Sequence, residues 1–326
     1  MRPRVFVTFP LPPAAAAALA RGALVRTYRG RQPIPRRALL AGVRHADGLL
    51  CLLTERVDAA LLAAAPRLRA VANYAVGYNN IDLEAVAARG VVVTNTPEVL
   101  TETSADLAFA LILAAARRVV EGDRLVRAGR WRGWEPDQLL GRDVHGATLG
   151  IIGLGRIGGA VARRARGFRM RILYWQRHRL RRAPGGARYA TLPRLLATSD
   201  VVSIHVPLTS ATRGLVGSRE LARMKRTAIL VNTSRGPVVD EAALERALAR
   251  RTIAAAGLDV FACEPQVPRR LRTLPNVVLT PHIGSATTAT RTAMAVLAVR
   301  NLTAALARRE PPNRIRMPPA ERRARA

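Results

Sequence analysis

The sequence predicts an α/β protein built from two doubly wound parallel-sheet domains, and three observations predict it. Short Val/Ile/Leu-rich runs alternate with Ala/Leu-rich helical stretches along the first part of the chain. The same alternation restarts at GATLGIIGLG, Gly146 to Gly155. The length, 326 residues, exceeds the usual size of one hydrophobic core.

The N-terminus carries Arg2 and Arg4 before an apolar run, but Pro10, Pro12 and Pro13 interrupt it. RVFVTF therefore reads as a first strand followed by a loop, not as a signal peptide. The next elements are ALLAG to ADGLLCLL, LRAVANYAVG and VVVTNT, with a helix from Ile81 to Arg89. In TPEVLTETSADLAFALILAAARRVVEGDRL, Thr101 or Thr103 can cap a long helix. Its middle, LAFALILAAA, is apolar nearly all round, which predicts burial between domains or at a subunit interface. A Gly/Trp-containing loop, GRWRGWEPDQLLGRDV, leads into the second alternation. There GATLGIIGLG, MRILYW, DVVSIHVP, AILVNTS, AAAGLDV and NVVLTP read as strands. A helix over Thr287 to Arg308 follows, and the Pro/Arg tail is expected to be loosely ordered. The layout is one domain from residues 1–98 and 289–326, a second from 99–288 inserted into it, and a cleft between the halves.

Composition narrows the function. Hydrophobic residues make up 49%, and no stretch approaches the roughly 18 apolar residues of a membrane span. A soluble cytoplasmic protein is expected. Cys51 and Cys263 are too few for a disulfide framework or a metal site, so no metal is expected. The formal net charge is +31, almost wholly from arginine, with Lys225 the one lysine. Arginines are scattered along every segment and aromatics are only 4%, too sparse to interleave as base-stacking platforms. Nucleic acid should therefore bind only nonspecifically, through charge.

In LGIIGLGRIGGA, Gly153, Gly155 and Gly158 follow a strand and open a helix, the setting in which a GxGxxG pattern indicates a dinucleotide. The roles are a tight turn at Gly153, backbone approach to a pyrophosphate at Gly155, and helix-on-strand packing at Gly158. Arg156 and Ile157 begin the helix, whose N–H groups and dipole favour phosphate. About 20 residues beyond such glycines an acidic residue grips the ribose of NAD. Here the chain reads Gln176, Arg177, His178 and Arg179. Arg177 and Arg179 suit a 2′-phosphate, so NADP(H) is preferred, with NAD(H) possible.

Three later stretches, VNTSRGPVVDEAAL, AGLDVFACEP and LTPHIGSAT, place Arg235, Glu264 and His282 just beyond predicted strands. The carboxyl ends of parallel strands are where ligands sit. Arg235 can clamp a carboxylate, and His282 can exchange a proton near neutral pH. A carboxylate at Glu264 would orient the imidazole and favour its charged form.

With NYAVGYNNID, SADLAFAL, LGIIGLGRIG and ILYWQRHR, these motifs run in an order that resembles the D-isomer-specific 2-hydroxyacid dehydrogenase family over nearly the whole chain. Within it the likeness is greatest to glyoxylate/hydroxypyruvate reductases. The resemblance implies a Rossmann-type nucleotide domain (99–288) inserted into a flavodoxin-like substrate domain, and a homodimer. It implies hydride transfer between a nicotinamide and a small 2-oxo or 2-hydroxy acid, with His282 the proton donor. It also implies that Asp259 bonds the nicotinamide carboxamide and that Pro207 and Thr212 wall the adenosine phosphate. His205, beside Pro207, reads as strand-end packing. Val76 and Gly77 match the loop whose N–H groups hold the substrate carboxylate, and Leu53 matches an apolar wall of that pocket. Trp134 resembles an aromatic that reaches toward the partner subunit's site; an exposed interface Trp is the plainer reading. Asn79 stands where aspartate is expected, which bears on the turn more than on the reaction. Other readings are a 2-ketogluconate reductase, a phosphoglycerate or phosphite dehydrogenase, or a co-repressor-like binding protein on the same scaffold.

Overall fold

A computed structural model describes residues 1–316; the end of the Pro/Arg tail, residues 317–326, lies outside the described residues. The chain divides into two compact units, one from Met1–Leu100 with the chain from Thr287 onward, the other Thr101–Ala286. The insertion is thus two residues shorter at each end than the 99–288 expected.

The first unit runs β1 (Arg4–Val7), α1 (Pro13–Gly22), β2 (Leu24–Thr27), α2 (Arg36–Val43), β3 (Gly48–Cys51), α3 (Ala59–Ala64), β4 (Ala70–Asn73), α4 (Leu83–Ala88) and β5 (Val92–Thr94). Every strand pair is parallel, in the order β2-β1-β3-β4-β5 of flavodoxin-like sheets. β3 and β4 are buried at every position, as central strands covered on both faces must be. Asp58 and Asp82 accept from Leu61 N and Ala85 N, capping α3 and α4.

Two elements depart from the sequence reading. The stretch expected to be a loop after β1 is the helix α1, with Pro12 as its N-cap and Pro13 its first residue. Proline tolerates that position because its missing N–H has no helical partner there. β2, LVRT, carries no strand signal in sequence, because it is mostly exposed and lacks an apolar run.

The second unit begins with α5 (Thr101–Ala116) and α6 (Val119–Arg127). Helix α5 starts at Thr101 itself, so Thr101 and Thr103 lie inside it and not at its cap. The single long helix expected here is broken at Arg118, which takes a left-handed φ of 54°. The rest runs β6 (Thr148–Ile152), α7 (Arg156–Gly167), β7 (Arg171–Trp175), β8 (Arg188–Tyr189), α8 (Leu192–Thr198), β9 (Val201–Ile204), α9 (Ser218–Arg223), β10 (Ile229–Asn232), α10 (Glu241–Ala249), β11 (Ala255–Leu258), α11 (Arg269–Thr273) and β12 (Val277–Leu279). Its parallel sheet has the order β12-β11-β10-β9-β6-β7-β8. The direction of winding reverses between β6 and β9, the switch point where a Rossmann-type sheet binds its ligand. The two-residue strand β8 was not legible in sequence.

Helix α5 spends its apolar surround within its own unit, against α7 and strands β10 and β11. Ala105, Ala108, Phe109, Leu111 and Ile112 enter one core with Leu149, Ile151 and Val231. The last helix, α12 (Thr288–Leu306), is capped by Thr287 and returns to the first unit, against α1, β3 and β4.

Ile112 is fully buried in that core, so Ile112→Ala should cost about 2–4 kcal/mol through lost burial and a residual cavity. A melting temperature within a degree or so of wild type would show α5 to be peripheral.

Candidate active site

The carboxyl end of β6 carries the glycine loop. Gly153 has a φ of 95°, and a Cβ there would lie 2.8 to 2.9 Å from Val206 Cγ1 and the His205 carbonyl, so only glycine fits the turn. At Gly158 a Cβ would meet the Gly153 oxygen at 2.1 Å, which sets how closely α7 approaches the strand. Gly155, the N-cap of α7, behaves differently: a Cβ there would meet nothing within 4 Å. Its missing side chain opens space directly over the first turn of a 12-residue helix that no side chain caps. Arg156 and Ile157 form that turn, with Arg156 exposed and Ile157 half-buried. Open space above helix N–H groups fits a dinucleotide pyrophosphate.

Past β7, Gln176 ties this loop down. Its Oε1 accepts from Leu154 N at 3.1 Å, and its Nε2 donates to the His178 carbonyl at 2.8 Å. Arg177 Nε donates to His178 Nε2 at 3.1 Å, and the Arg179 guanidinium lies 6.0 Å from the Tyr189 ring centre. Both arginines are exposed at the strand end.

Beyond β9, His205 is half-buried with its Nε2 2.8 Å from Ser203 Oγ. Desolvation holds its pKa down to about 4, so it stays neutral at ordinary pH. Thr212 Oγ1 donates to the Pro207 carbonyl at 2.6 Å and accepts from Thr209 N at 2.8 Å, closing the turn that carries Pro207.

Arg235 follows β10 on a loop organised by Asn232. The Asn232 Oδ1 accepts from Ser234 N at 3.0 Å, and its Nδ2 donates to the Arg235 carbonyl at 3.0 Å. This local Asx pattern begins three residues before the arginine, in NTSR. The guanidinium donates to the Ser234 carbonyl at 2.6 Å. Burial pushes its pKa below the ordinary arginine value, and the charge on Glu264 opposes that.

Glu264 and His282 form the central pair, with His282 Nδ1 2.7 Å from Glu264 Oε2. The other carboxylate oxygen accepts from Phe261 N at 3.1 Å. Burial alone would raise the Glu264 pKa. The hydrogen bond and charge of His282, then Phe261 N–H and the Arg235 charge, outweigh it and hold the carboxyl below its ordinary value. An ionised Glu264 selects the imidazole tautomer with its proton on Nδ1, leaving Nε2 as the atom available for exchange.

His282 sits at a left-handed φ of 55°, and the turn is pinned from below. Asp259, 1% exposed at the end of β11, accepts from Thr280 Oγ1 at 2.7 Å, Ile283 N at 2.8 Å and Gly284 N at 2.9 Å. Desolvation pushes its carboxyl up against these bonds. These three donors take part of the carboxylate's acceptor capacity, with two on Oδ1 and one on Oδ2.

In the other unit, Leu53 is half-buried on the loop after β3, and Val76 and Gly77 are half-buried past β4. Trp134 is 83% exposed, with Trp131 exposed nearby. Among the described residues, no group of three or more His, Cys, Asp or Glu could hold a metal ion.

Known proteins resemble this chain over most of its length. The model of the D-isomer specific 2-hydroxyacid dehydrogenase NAD binding domain matches residues 109–284. A glyoxylate reductase of Korarchaeum cryptofilum is 51% identical over 317 residues, 96% of each chain. A solved Thermus thermophilus structure superimposes with a TM-score of 0.91 at 48% identity, covering 96% of this chain and 100% of that one. An NADPH-dependent glyoxylate/hydroxypyruvate reductase from Sinorhizobium meliloti, solved with NADP and malonate, gives 0.85 at 37% identity and 97% coverage of both. With strand order, glycine loop and the Arg235, Glu264 and His282 stretches all in place, the chain belongs to the D-isomer specific 2-hydroxyacid dehydrogenase family.

Proposed function

We propose that this protein reduces a small 2-oxo acid, glyoxylate or hydroxypyruvate, to the 2-hydroxy acid, with His282 as proton donor. The observation that carries the reading is the 2.7 Å His282–Glu264 pair with the charge of the half-buried Arg235 acting on Glu264. The nicotinamide dinucleotide, when bound, supplies the hydride. The chain does the rest. Arg235 holds the substrate anion and polarises its carbonyl, because a planar guanidinium matches a carboxylate in two places. His282 gives its Nε2 proton to the carbonyl oxygen, and Glu264 stabilises the positive charge that this proton requires. Asp259 keeps the histidine's turn in place. Val76 and Gly77 are assigned the substrate carboxylate, with Leu53 an apolar wall beside it. Names of relatives favour glyoxylate: eight curated relatives at 49–51% identity are glyoxylate reductases.

Two substitutions test these roles. His282→Ala should cut kcat by about a thousandfold while NADPH binding stays near wild type, since general acid help is worth roughly 10²–10⁴. Arg235→Lys should raise KM for the oxo acid and lower kcat together, because a point charge cannot replace the fork. A few-fold loss in either variant would sink the corresponding assignment.

We assign the cofactor as NADP(H), with NAD(H) a weaker alternative. Gln176 offers no carboxylate to a ribose hydroxyl, and the exposed Arg177 and Arg179 can pair with a 2′-phosphate. Preference for NADPH should be on the order of ten- to a hundredfold in kcat/KM. With a net charge of +31 any anion is attracted at low salt, so the comparison belongs at several hundred millimolar salt. Preference for NADH there, or an unchanged ratio in Gln176→Asp/Arg177→Ser, rejects the assignment.

A homodimer is the proposed assembly. Val119, Val126, Trp131, Trp134 and Leu140 put large apolar surface into solvent within one stretch, more than an isolated chain favours. Light scattering should give twice the 35.3 kDa chain mass; a monomer at micromolar concentration would reject this. Nucleic acid is expected to bind only nonspecifically and to dissociate with salt. No helix among the described residues is long and apolar enough to cross a membrane, and both Cys51 and Cys263 are free, which suits a cytoplasmic setting.

A further inference from the structure

The loop past β4 is held in an unusual way. Three successive peptide carbonyls, those of Ala75, Val76 and Gly77, are each taken by a donor from the protein. Thr96 N reaches the Ala75 oxygen at 2.9 Å, Asn95 Nδ2 the Val76 oxygen at 2.8 Å, and Asn73 Nδ2 the Gly77 oxygen at 2.9 Å. In a trans peptide the C=O and the N–H of the next residue point in opposite directions. Fixing these three oxygens therefore fixes the N–H groups of Val76, Gly77 and Tyr78 on the other side. Among the described residues no protein acceptor is recorded for these three N–H groups. Peptide N–H groups that meet no protein acceptor are donors left for a ligand or for water.

The two asparagines are themselves held. Asn73 is fully buried at the end of β4, and its amide also meets the Asn80 amide at 3.3 Å. Asn80 Nδ2 donates in turn to the carbonyls of Glu55, at 2.9 Å, and Leu52, at 3.3 Å. Glu55, 3% exposed, accepts from Thr8 Oγ1 at 3.0 Å, from Thr54 Oγ1 at 2.6 Å and from Leu52 N. The Leu53 loop and the Val76 loop are thus one hydrogen-bonded unit. Asn95 is anchored through its backbone, which accepts from Asn301 Nδ2 at 2.9 Å.

We infer that Asn95 and Asn73 are positioning residues: by holding the carbonyls of Val76 and Gly77 they aim the N–H groups of Val76, Gly77 and Tyr78 at the substrate carboxylate. This rests on the proposed reduction of a 2-oxo acid and assigns two side chains that do not touch the substrate. Neither is replaceable by aspartate, which cannot donate, or by an apolar isostere. Without its amide a carbonyl can turn toward the ligand, and an acceptor then replaces a donor.

The test compares glyoxylate with its methyl ester, which keeps the reacting carbonyl but loses the anion. In Asn95→Leu, KM for glyoxylate should rise about ten- to a hundredfold with kcat little changed, the range expected for losing a hydrogen bond to a charged group. Activity on the ester should stay near wild type, so the acid-over-ester preference shrinks by the same factor. Affinity for oxalate, measured by calorimetry with NADPH present, should fall in parallel. Asn73→Leu should repeat the pattern; because both substrates meet the same folded fraction, a partly unfolded variant does not distort the ratio. Equal losses on acid and ester, or unchanged oxalate affinity, mean a merely structural role and overturn the inference while leaving the reaction intact. A wild-type enzyme that reduces no 2-oxo acid overturns the reaction and this inference together.

Discussion

Every strand pair in both sheets is parallel, so all strands of a sheet end on the same edge and the backbone leaving each one starts from there. The sheet hydrogen bonds stop at that edge, and the first residues beyond it must find other partners. The glycine loop, Gln176, His205, Arg235, Asp259 and the His282 turn all occupy those first positions in the second unit. Val76, Gly77, Asn95 and Thr96 occupy them in the first. The parallel ladder therefore decides where polar groups collect, and side chains decide what each collection does.

Carboxylates and carboxamides do much of that work. Asp259 spends a buried charge on two N–H groups and a hydroxyl of one turn, and the left-handed backbone of His282 is kept in place as a result. Asn232 arranges the Arg235 loop by the same means, and Gln176 joins the glycine loop to the neighbouring strand end. In each case a short polar side chain replaces the ladder bonds that end with the strand. The cost of burying such groups is recovered only when their bonds are complete, which makes these loops stiff.

Charge is organised differently from what the net value suggests. Arginines are spread over the surface, and some pair with the few acids available, as the exposed Arg163 and the half-buried Arg164 do with the exposed Glu102 and Asp106. Such exposed pairs contribute little. The pair formed by Glu264 and His282 is partly shielded, so the same Coulomb attraction acts through less water and holds Glu264 ionised.

Much of this was legible in sequence because it is local. Strand-turn-helix spacing around Gly153 to Gly158 and the placement of Arg235, Glu264 and His282 after apolar runs depend only on neighbours in the chain. The sequence by itself determined the parallel α/β class, the glycine loop and the placement of Arg235, Glu264 and His282 just beyond strands. It misplaced what depends on competition. Pro13 starts α1 instead of ending a strand's loop, Arg118 breaks a helix that propensity would continue, and β2 and β8 exist only because a neighbouring strand supplies their hydrogen bonds. Tertiary structure alone decided that Asp259 faces the His282 turn and that Asn95 grips the Val76 loop. Those partners lie roughly 20 residues away along the chain, within reach only after separate strands have paired, and no local pattern encodes which side chain will meet which carbonyl.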